Sequence, residues 1–318
     1  MMAHLIAILL AVIIDRIVGD PRSLPHPVVG IGKLITVCDR YLNKGEAKRA
    51  KGLLMLIFIC TFVFLVTICI VLLSYRIHLY IGIAVEAWII STTIAARGLM
   101  QAAEEVAVPL RKGNFSESRK KLSYIVGRDT ETLNEEEITR ATVETVAENT
   151  SDGVTAPLFF ALIGGAPLAM LYRAVNTCDS MVGYKNNTYK EFGWASAKFD
   201  DLLNWVPSRL TAAVMILSIR AMGDRTKQQC WEIVRRDARK HPSPNSGWTE
   251  AAMAALMAVQ LGGVNTYKGV VSNRAKMGND ERALKVNDIE VANKIMLKTV
   301  NQFTLFILLV GGAIYAIT

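Results

Sequence analysis

Four short polar clusters interrupt an otherwise apolar chain, and each gathers side chains able to do chemistry. The first is Asp15-Arg-Ile-Val-Gly-Asp20-Pro-Arg22, followed by Pro25-His26-Pro27; it reads equally as a proline-stiffened turn. In the second, Glu148-Asn149-Thr150-Ser151-Asp152-Gly153, two carboxylates and an amide oxygen fall within five residues. Those are the hard oxygen donors that Mg²⁺ takes. A helix stopped at Gly153 explains Ser151 and Gly153 but leaves both acids opposing the helix dipole, which calls for a cation. The third cluster runs from Tyr172 to Tyr189, with Arg173, Asn176, Asp179 and Lys185. Asn176 and Asp179 are three apart and share a helical face. Lys198, Asp200, Asp201, Asn204 and Arg209 follow, so carboxylates for a metal and cations for phosphates lie close in sequence. The fourth is His241-Pro-Ser243-Pro-Asn245-Ser246-Gly247. Its two prolines exclude a helix, and the stiff loop suits polar ligand contacts, with His241 readable as structural or catalytic.

The usual single-motif signatures are missing. No Walker A pattern, GxGxxG, GxSxG or HExxH occurs in the sequence. The 36 basic and 28 acidic residues leave a net charge of +8, carried mostly by segments flanking apolar runs, which speaks against nucleic acid as a partner. With 52% apolar and only 20% charged residues, the chain is neither disordered nor an ordinary soluble enzyme. The five cysteines have no CxxC spacing, which suits a reducing compartment, and the N-terminus reads as no removable signal peptide.

The elements that must position these clusters are membrane helices. Leu53–Ser74 is uncharged over 22 residues, enough at about 1.5 Å per residue to cross the roughly 30 Å hydrocarbon core. The pattern predicts an all-α, polytopic integral membrane protein, one membrane-embedded domain over 1–318, with spans at 1–18, 53–74, 77–96 and 295–317. Segments 154–172 and 202–219 are ambiguous, and 97–150 and 220–294 are expected to be cytoplasmic and helical. No period-2 strand pattern persists. Eight Lys/Arg lie between Asp15 and Lys51, one at the turn Tyr75–Arg76 and eight between Arg97 and Arg140, which puts the rich segments in the cytoplasm. A straight helix over 154–172 would carry its polar flanks about 28 Å apart. The break Gly164-Gly165-Ala166-Pro167 instead predicts a re-entrant helical hairpin with both flanks on the cytoplasmic side.

In this order the clusters resemble the cobalamin-biosynthesis CobD/CbiB family, the adenosylcobinamide-phosphate synthases. The resemblance rests on Gly19-Asp20-Pro21 with Pro25-His26-Pro27, Ile125-Val-Gly-Arg128-Asp-Thr130, Glu148-Asn-x-x-Asp152-Gly-Val-x-Ala-Pro157 and Asn176-Thr-x-Asp179-Ser-Met-x-Gly183-Tyr-Lys185. It continues through Phe192-Gly193, Asp200-Asp201-x-x-Asn204, Pro207-x-Arg209 and His241-Pro-Ser-Pro-Asn-Ser-Gly247, covering most of residues 10–270. It implies a ligase of the cell membrane, its active site facing the cytoplasm. The enzyme would use ATP and Mg²⁺ to join the f-propionate carboxylate of adenosylcobyric acid to (R)-1-aminopropan-2-ol or its O-phosphate.

On that resemblance Glu148, Asp152 and Asp179 are assigned to Mg²⁺–ATP, and Lys185, Lys198, Arg209 and Arg128 to phosphates. Asp200 or Asp201 takes the amine proton, with Lys185 beside the reacting groups. Asn176, Asn149, His241, Asn245 and Ser246 are assigned to the substrates. The implied partners are a corrinoid, an amino alcohol phosphate and the lipid bilayer, with a homo-oligomer left open. Two other classes remain at this stage: a non-catalytic membrane sensor of an AmpE-like type, and a corrinoid transporter. The clear spans carry only Glu86 as an intramembrane acid, which speaks against a transport path.

Overall fold

A computed structural model describes residues 2–19 and 26–317, so Asp20-Pro21-Arg22 and Pro25 of the first cluster lie outside the described residues. The chain runs α1 (Met2–Ile17), α2 (Pro27–Leu42), α3 (Lys48–Ile77) and α4 (Leu79–Ser91), then α5 (Ala96–Arg111), α6 (Phe115–Leu122) and α7 (Glu135–Thr150). A π-helical turn, Ser151–Thr155, leads into α8 (Ala156–Val182), followed by α9 (Trp194–Leu203), α10 (Trp205–Ser218), α11 (Lys227–Asp237) and α12 (Ser246–Met257). Strands β1 (Leu261–Tyr267) and β2 (Val270–Met277) precede α13 (Asn287–Ile317). The chain forms two compact units. The first comprises Met1–Ala95, Asp152–Asn204 and Thr304–Thr318, the second Ala96–Ser151 and Trp205–Phe303.

The first unit is a membrane unit. Its longest helix, α3, has 30 residues, or about 45 Å. Met55, Ile59 and Val63 are buried on one side of it, whereas Leu54, Phe58, Leu65 and Leu72 are exposed. An apolar helix with a bare apolar flank fits lipid, not water. The buried stripe packs with Ile35 of α2, Ala174 and Cys178 of α8 and Phe192 in one core. Among the described residues, four helical stretches are long and apolar enough to cross a membrane: Lys48–Ile77, Leu79–Arg111, Glu135–Val182 and Asn287–Ile317. The protein is therefore a multi-pass helical membrane protein.

The stretch Glu135–Val182 is not one rod. Gly164 (φ −153°, ψ 32°) and Gly165 (φ 62°, ψ −157°) leave helical geometry and turn α8 back on itself. The rings of Phe160 and Tyr172 stack at 5.1 Å, and the Tyr172 hydroxyl donates to the Asp152 carbonyl at 3.1 Å. In a straight helix those last two residues, 20 apart, would be about 30 Å apart. The fold-back matches the expected hairpin. Its tip docks on Glu86 of α4, which is fully buried: the Ala166 amide donates to Glu86 Oε1 at 3.2 Å. Tyr75 donates to Oε2 at 2.6 Å, and His4 Nδ1 lies 2.8 Å from Oε1.

The structure departs from the sequence pattern in three places and resolves one ambiguous segment. The span expected over 77–96 is helical only to Ser91, where Ser91, Thr92 and Thr93 each turn a hydroxyl to a carbonyl three residues back and end the helix. The helix stop expected at Gly153 does not exist, because the π-helical turn carries α7 into α8. Segment 202–219 yields the 14-residue α10, too short to span and assigned to the second unit. Segment 220–294 is not wholly helical, since β1 and β2 pair antiparallel within it.

In the second unit α12 is the centre, buried along nearly its whole length and packed by α7, α10 and α11. Its alanines let those helices approach closely. The ribbon turns at Lys268 and Gly269, both with positive φ, as two-residue hairpin turns require. Asp129 clamps that turn, accepting from the Lys268 amide at 2.9 Å and the Gly269 amide at 2.8 Å. A capping box between Asn134 and Glu137 starts α7.

Candidate functional site

In the membrane unit the fold-back of α8 brings polar groups from before and after the Gly164-Gly165 turn into one bonded network. Tyr172, buried, bridges the Asp152 carbonyl and Asn204 Oδ1, the latter at 2.8 Å. Asn204 donates to Asp200 Oδ2 at 3.0 Å, and Asn176 donates to Asp200 Oδ1 at 3.2 Å. Arg173 reaches Asn176 Oδ1 at 3.5 Å. Asp200 is thus fixed by two amides, both from predicted site residues or their neighbours. Asp179 lies one turn beyond Asn176 on α8, and its carboxylate folds over Gly183, where any Cβ would collide with it.

The next acid behaves differently. Asp201 is partly exposed, with Lys198 Nζ 3.7 Å from Oδ2. Burial pushes its pKa above the ordinary carboxylate value, and the charges of Lys198 and Lys185 only partly offset this. A carboxyl whose proton affinity is raised, beside two cations, is a better proton acceptor than an ordinary carboxylate.

The second unit holds the other predicted residues. Ser246 donates to Glu148 Oε1 at 2.8 Å. His241 Nδ1 accepts from the Ser243 amide at 3.0 Å, and its Nε2 stands 3.6 Å from Glu250 Oε1, both side chains being buried. Burial lowers the His241 pKa against the pull of Glu148, so the ring is neutral. Burial, with Glu144 and Glu148 nearby, holds the Glu250 carboxyl well above the usual carboxylate range. Arg209 is flanked by the indoles of Trp205 and Trp248, at 4.4 and 4.7 Å, and reaches Asn245 Oδ1 at 3.4 Å. Asn245 itself is buried at the start of α12.

Two predicted residues are occupied with the fold. Arg128, expected at phosphate, donates to Glu144 and, at 2.8 Å, to Asn265 Oδ1, bracing β1. Asn149 turns its amide back to the Thr145 carbonyl at 2.9 Å. Among the described residues no three His, Cys, Asp or Glu side chains group to hold an ion by themselves. Mg²⁺ that keeps waters and phosphate oxygens needs only one or two carboxylates, and the oxygen donors of Asp152 and Asp179 suit it.

Residue patterns missed Glu144 and Glu250 and gave Tyr172, the first residue of the third cluster, no role, although all three are hubs of these networks. Glu250 had a signal in being the only charge in an Ala- and Met-rich helix; Tyr172 had none, since an aromatic in an apolar run reads as core.

A helical membrane protein whose apolar hairpin gathers acids, amides and cations at its base belongs among polytopic membrane proteins that carry a polar site, not among simple anchors. The comparisons are specific. The family model described as CobD/Cbib protein matches residues 8–296, and the chain belongs to that family, whose role is in cobalamin biosynthesis. It is 59% identical to the cobalamin biosynthesis protein CobD of Halalkalibacterium halodurans, over 99% of each chain. Identity is 42% with the cobalamin biosynthesis protein CobD of Leptospira interrogans, over 97% of this chain and 98% of that one. With the cobalamin biosynthesis protein CbiB of Salmonella typhimurium it is 45%, over 90% and 91%. No solved structure matches the chain.

Proposed function

We propose that the protein is a membrane-bound, ATP-dependent ligase. It joins the f-propionate carboxylate of adenosylcobyric acid to (R)-1-aminopropan-2-ol or its O-phosphate, giving adenosylcobinamide or its phosphate, at a site open to the cytoplasm. Family membership supports the pathway. The observation that supports amide-forming chemistry is the α8 fold-back, which ties Asp152, Asn176 and Asp200 into one network next to Asp201, Lys185 and Lys198.

A carboxylate is a poor electrophile, so activation as an acyl phosphate before amine attack is the expected route. Asp152 and Asp179 would hold Mg²⁺, which would neutralise nucleotide phosphate charge. Lys185 and Lys198 hold phosphate oxygens as charge develops on them. Asp200, pinned by two amides, orients its neighbours, and Asp201 with its raised proton affinity takes the proton from the attacking ammonium. Arg209, presented between two indoles, offers a guanidinium to a second phosphate. Asn245, Ser246 and His241 offer neutral polar contacts for substrate amides or hydroxyls.

The test is ATP turnover by the purified protein in detergent with Mg²⁺. Phosphate release is expected only when both corrinoid acid and amine are present, with loss of about 100-fold or more in Asp179→Ala and in Lys185→Ala. Turnover indifferent to the two substrates, or near wild-type rates in both variants, would overturn the assignment and favour a sensor or transporter.

A further inference from the structure

Below the last apolar run of the chain, the second unit contains a cavity of about 360 Å³ unrelated to any residue discussed above. Its floor is apolar, with Ile216, Ile219 and Leu256, and its wall carries four cations, Arg220, Arg225, Lys227 and Lys298, with no carboxylate among the lining residues. Protein partners account for part of that charge. Arg225 pairs with Glu281, and Arg220 reaches Asp224 at 3.2 Å. Lys227 donates to the Leu217 carbonyl, which neutralises nothing, and sits in the first turn of α11, where the helix dipole adds positive potential. The pocket therefore presents excess positive charge over an apolar floor.

Its depth relative to the bilayer follows from α13 alone. Lys298 is the last charged residue of the chain and precedes Phe303, where the apolar run to Ile317 begins, by five residues or about 7.5 Å. The polar layer on each side of the hydrocarbon core is about 5–8 Å deep. Lys298 stands in the first turn of the expected span 295–317, from where its long side chain snorkels to the level of lipid phosphates. Leu217 and Met222, next to the lining residues, are both exposed, a placement that suits contact with acyl chains.

We propose that this pocket binds one anionic phospholipid. Lys227, Lys298 and Arg220 hold its phosphodiester, and its acyl chains leave over Leu217 and Met222. Basic pockets beside membrane helices take such headgroups through charge, and apolar contact adds what a free phosphate cannot gain. The site is separate from the ligase chemistry and stands whether or not that reading holds.

The full-length protein, purified in detergent, would be titrated with phosphatidylglycerol, phosphatidylcholine and inorganic phosphate, with bound species counted by native mass spectrometry. Saturable binding of one phosphatidylglycerol is expected, with phosphatidylcholine much weaker. The double variant Lys227→Gln, Lys298→Gln should weaken it about thirtyfold, and Lys227→Arg with Lys298→Arg should retain it. Equal retention of phosphatidylcholine, displacement by millimolar inorganic phosphate, or undiminished binding in the Gln double variant would each overturn the proposal. If the Gln variant does not fold, a photoactivatable phosphatidylglycerol on the wild-type protein decides. Cross-links within residues 216–230 support the site, and cross-links confined elsewhere overturn it.

Discussion

Glu250 shows how burial and like charge set a protonation state. It is 4% exposed in α12, and Glu144 and Glu148 add to the burial that keeps its proton on, against the milder pull of Arg274 and Arg128. In the unfolded chain the same carboxyl ionises near 4.3. The folded state therefore binds a proton more tightly than the unfolded state. That contribution to stability is complete below about pH 4 and is lost progressively as pH rises toward the folded value. Replacing the acid by its neutral isostere removes the dependence. Glu250→Gln is expected to gain stability over wild type as pH rises from about 4, by up to about 1.4 kcal/mol per pH unit. Melting temperatures of the two proteins from pH 4 to 8 check this; parallel curves would mean that Glu250 is ionised in the fold. At this scale the sequence disclosed the polar clusters because they break apolar runs. It could not disclose the role of Tyr172, whose hydroxyl becomes a hub only when α8 folds back and brings the Asp152 carbonyl and Asn204 to it.

Among the elements, the hairpin of α8 was legible and the β ribbon was not, for opposite physical reasons. Gly164-Gly165-Ala166-Pro167 concentrates residues that a continuous membrane helix avoids, so the break announces itself. In β1 two glycines and a bulge between Leu261 and Gly263 erase the alternation that marks a strand, and its partner is mostly polar or exposed. The hairpin turn depends on Gly165, whose φ of 62° with ψ of −157° is a conformation nearly confined to glycine, and whose Cβ would collide with Glu86 Oε1. Gly165→Ala is expected to cost about 1–3 kcal/mol in backbone strain alone, lowering thermal stability in detergent and uncoupling Asp152 from Tyr172. Gly312→Ala, where an added methyl meets nothing within 4 Å, is the matched control and should leave stability unchanged. The ribbon depends on Asp129 in the same way. Asp129→Ala removes two acceptors for turn amides, worth about 1–2 kcal/mol together at an exposed site. Amide hydrogen exchange across 261–277 should quicken by about 5–30-fold while that of α12 stays unchanged; uniform protection would show that the strands hold without the clamp.

On the scale of the molecule, the membrane unit contains its own ruler in α3. Arg49, in the first turn of that helix, lies over the Trp194 ring at 3.7 Å, and Tyr189 donates to Asp39 near the end of α2 at 3.1 Å. The loop that follows Asp179 and Lys185 is therefore fastened at the start of α3. Arg76 stands at the other end, 27 residues and about 40 Å along the helix from Arg49, more than the hydrocarbon thickness. The two ends lie on opposite faces of the membrane. In sequence, the segment from Asp15 to Lys51 carries eight Lys/Arg and the turn at Tyr75–Arg76 one, so the positive-inside rule predicts that Asp179 and Lys185 face the cytoplasm. In a background without the five native cysteines, Arg76→Cys should react with an impermeant maleimide in intact cells. Lys190→Cys, in the exposed loop beside the acids, should react only after permeabilisation. The reverse pattern would put those acids where nucleotide is absent, and no ligase driven by cytosolic ATP could work with them there.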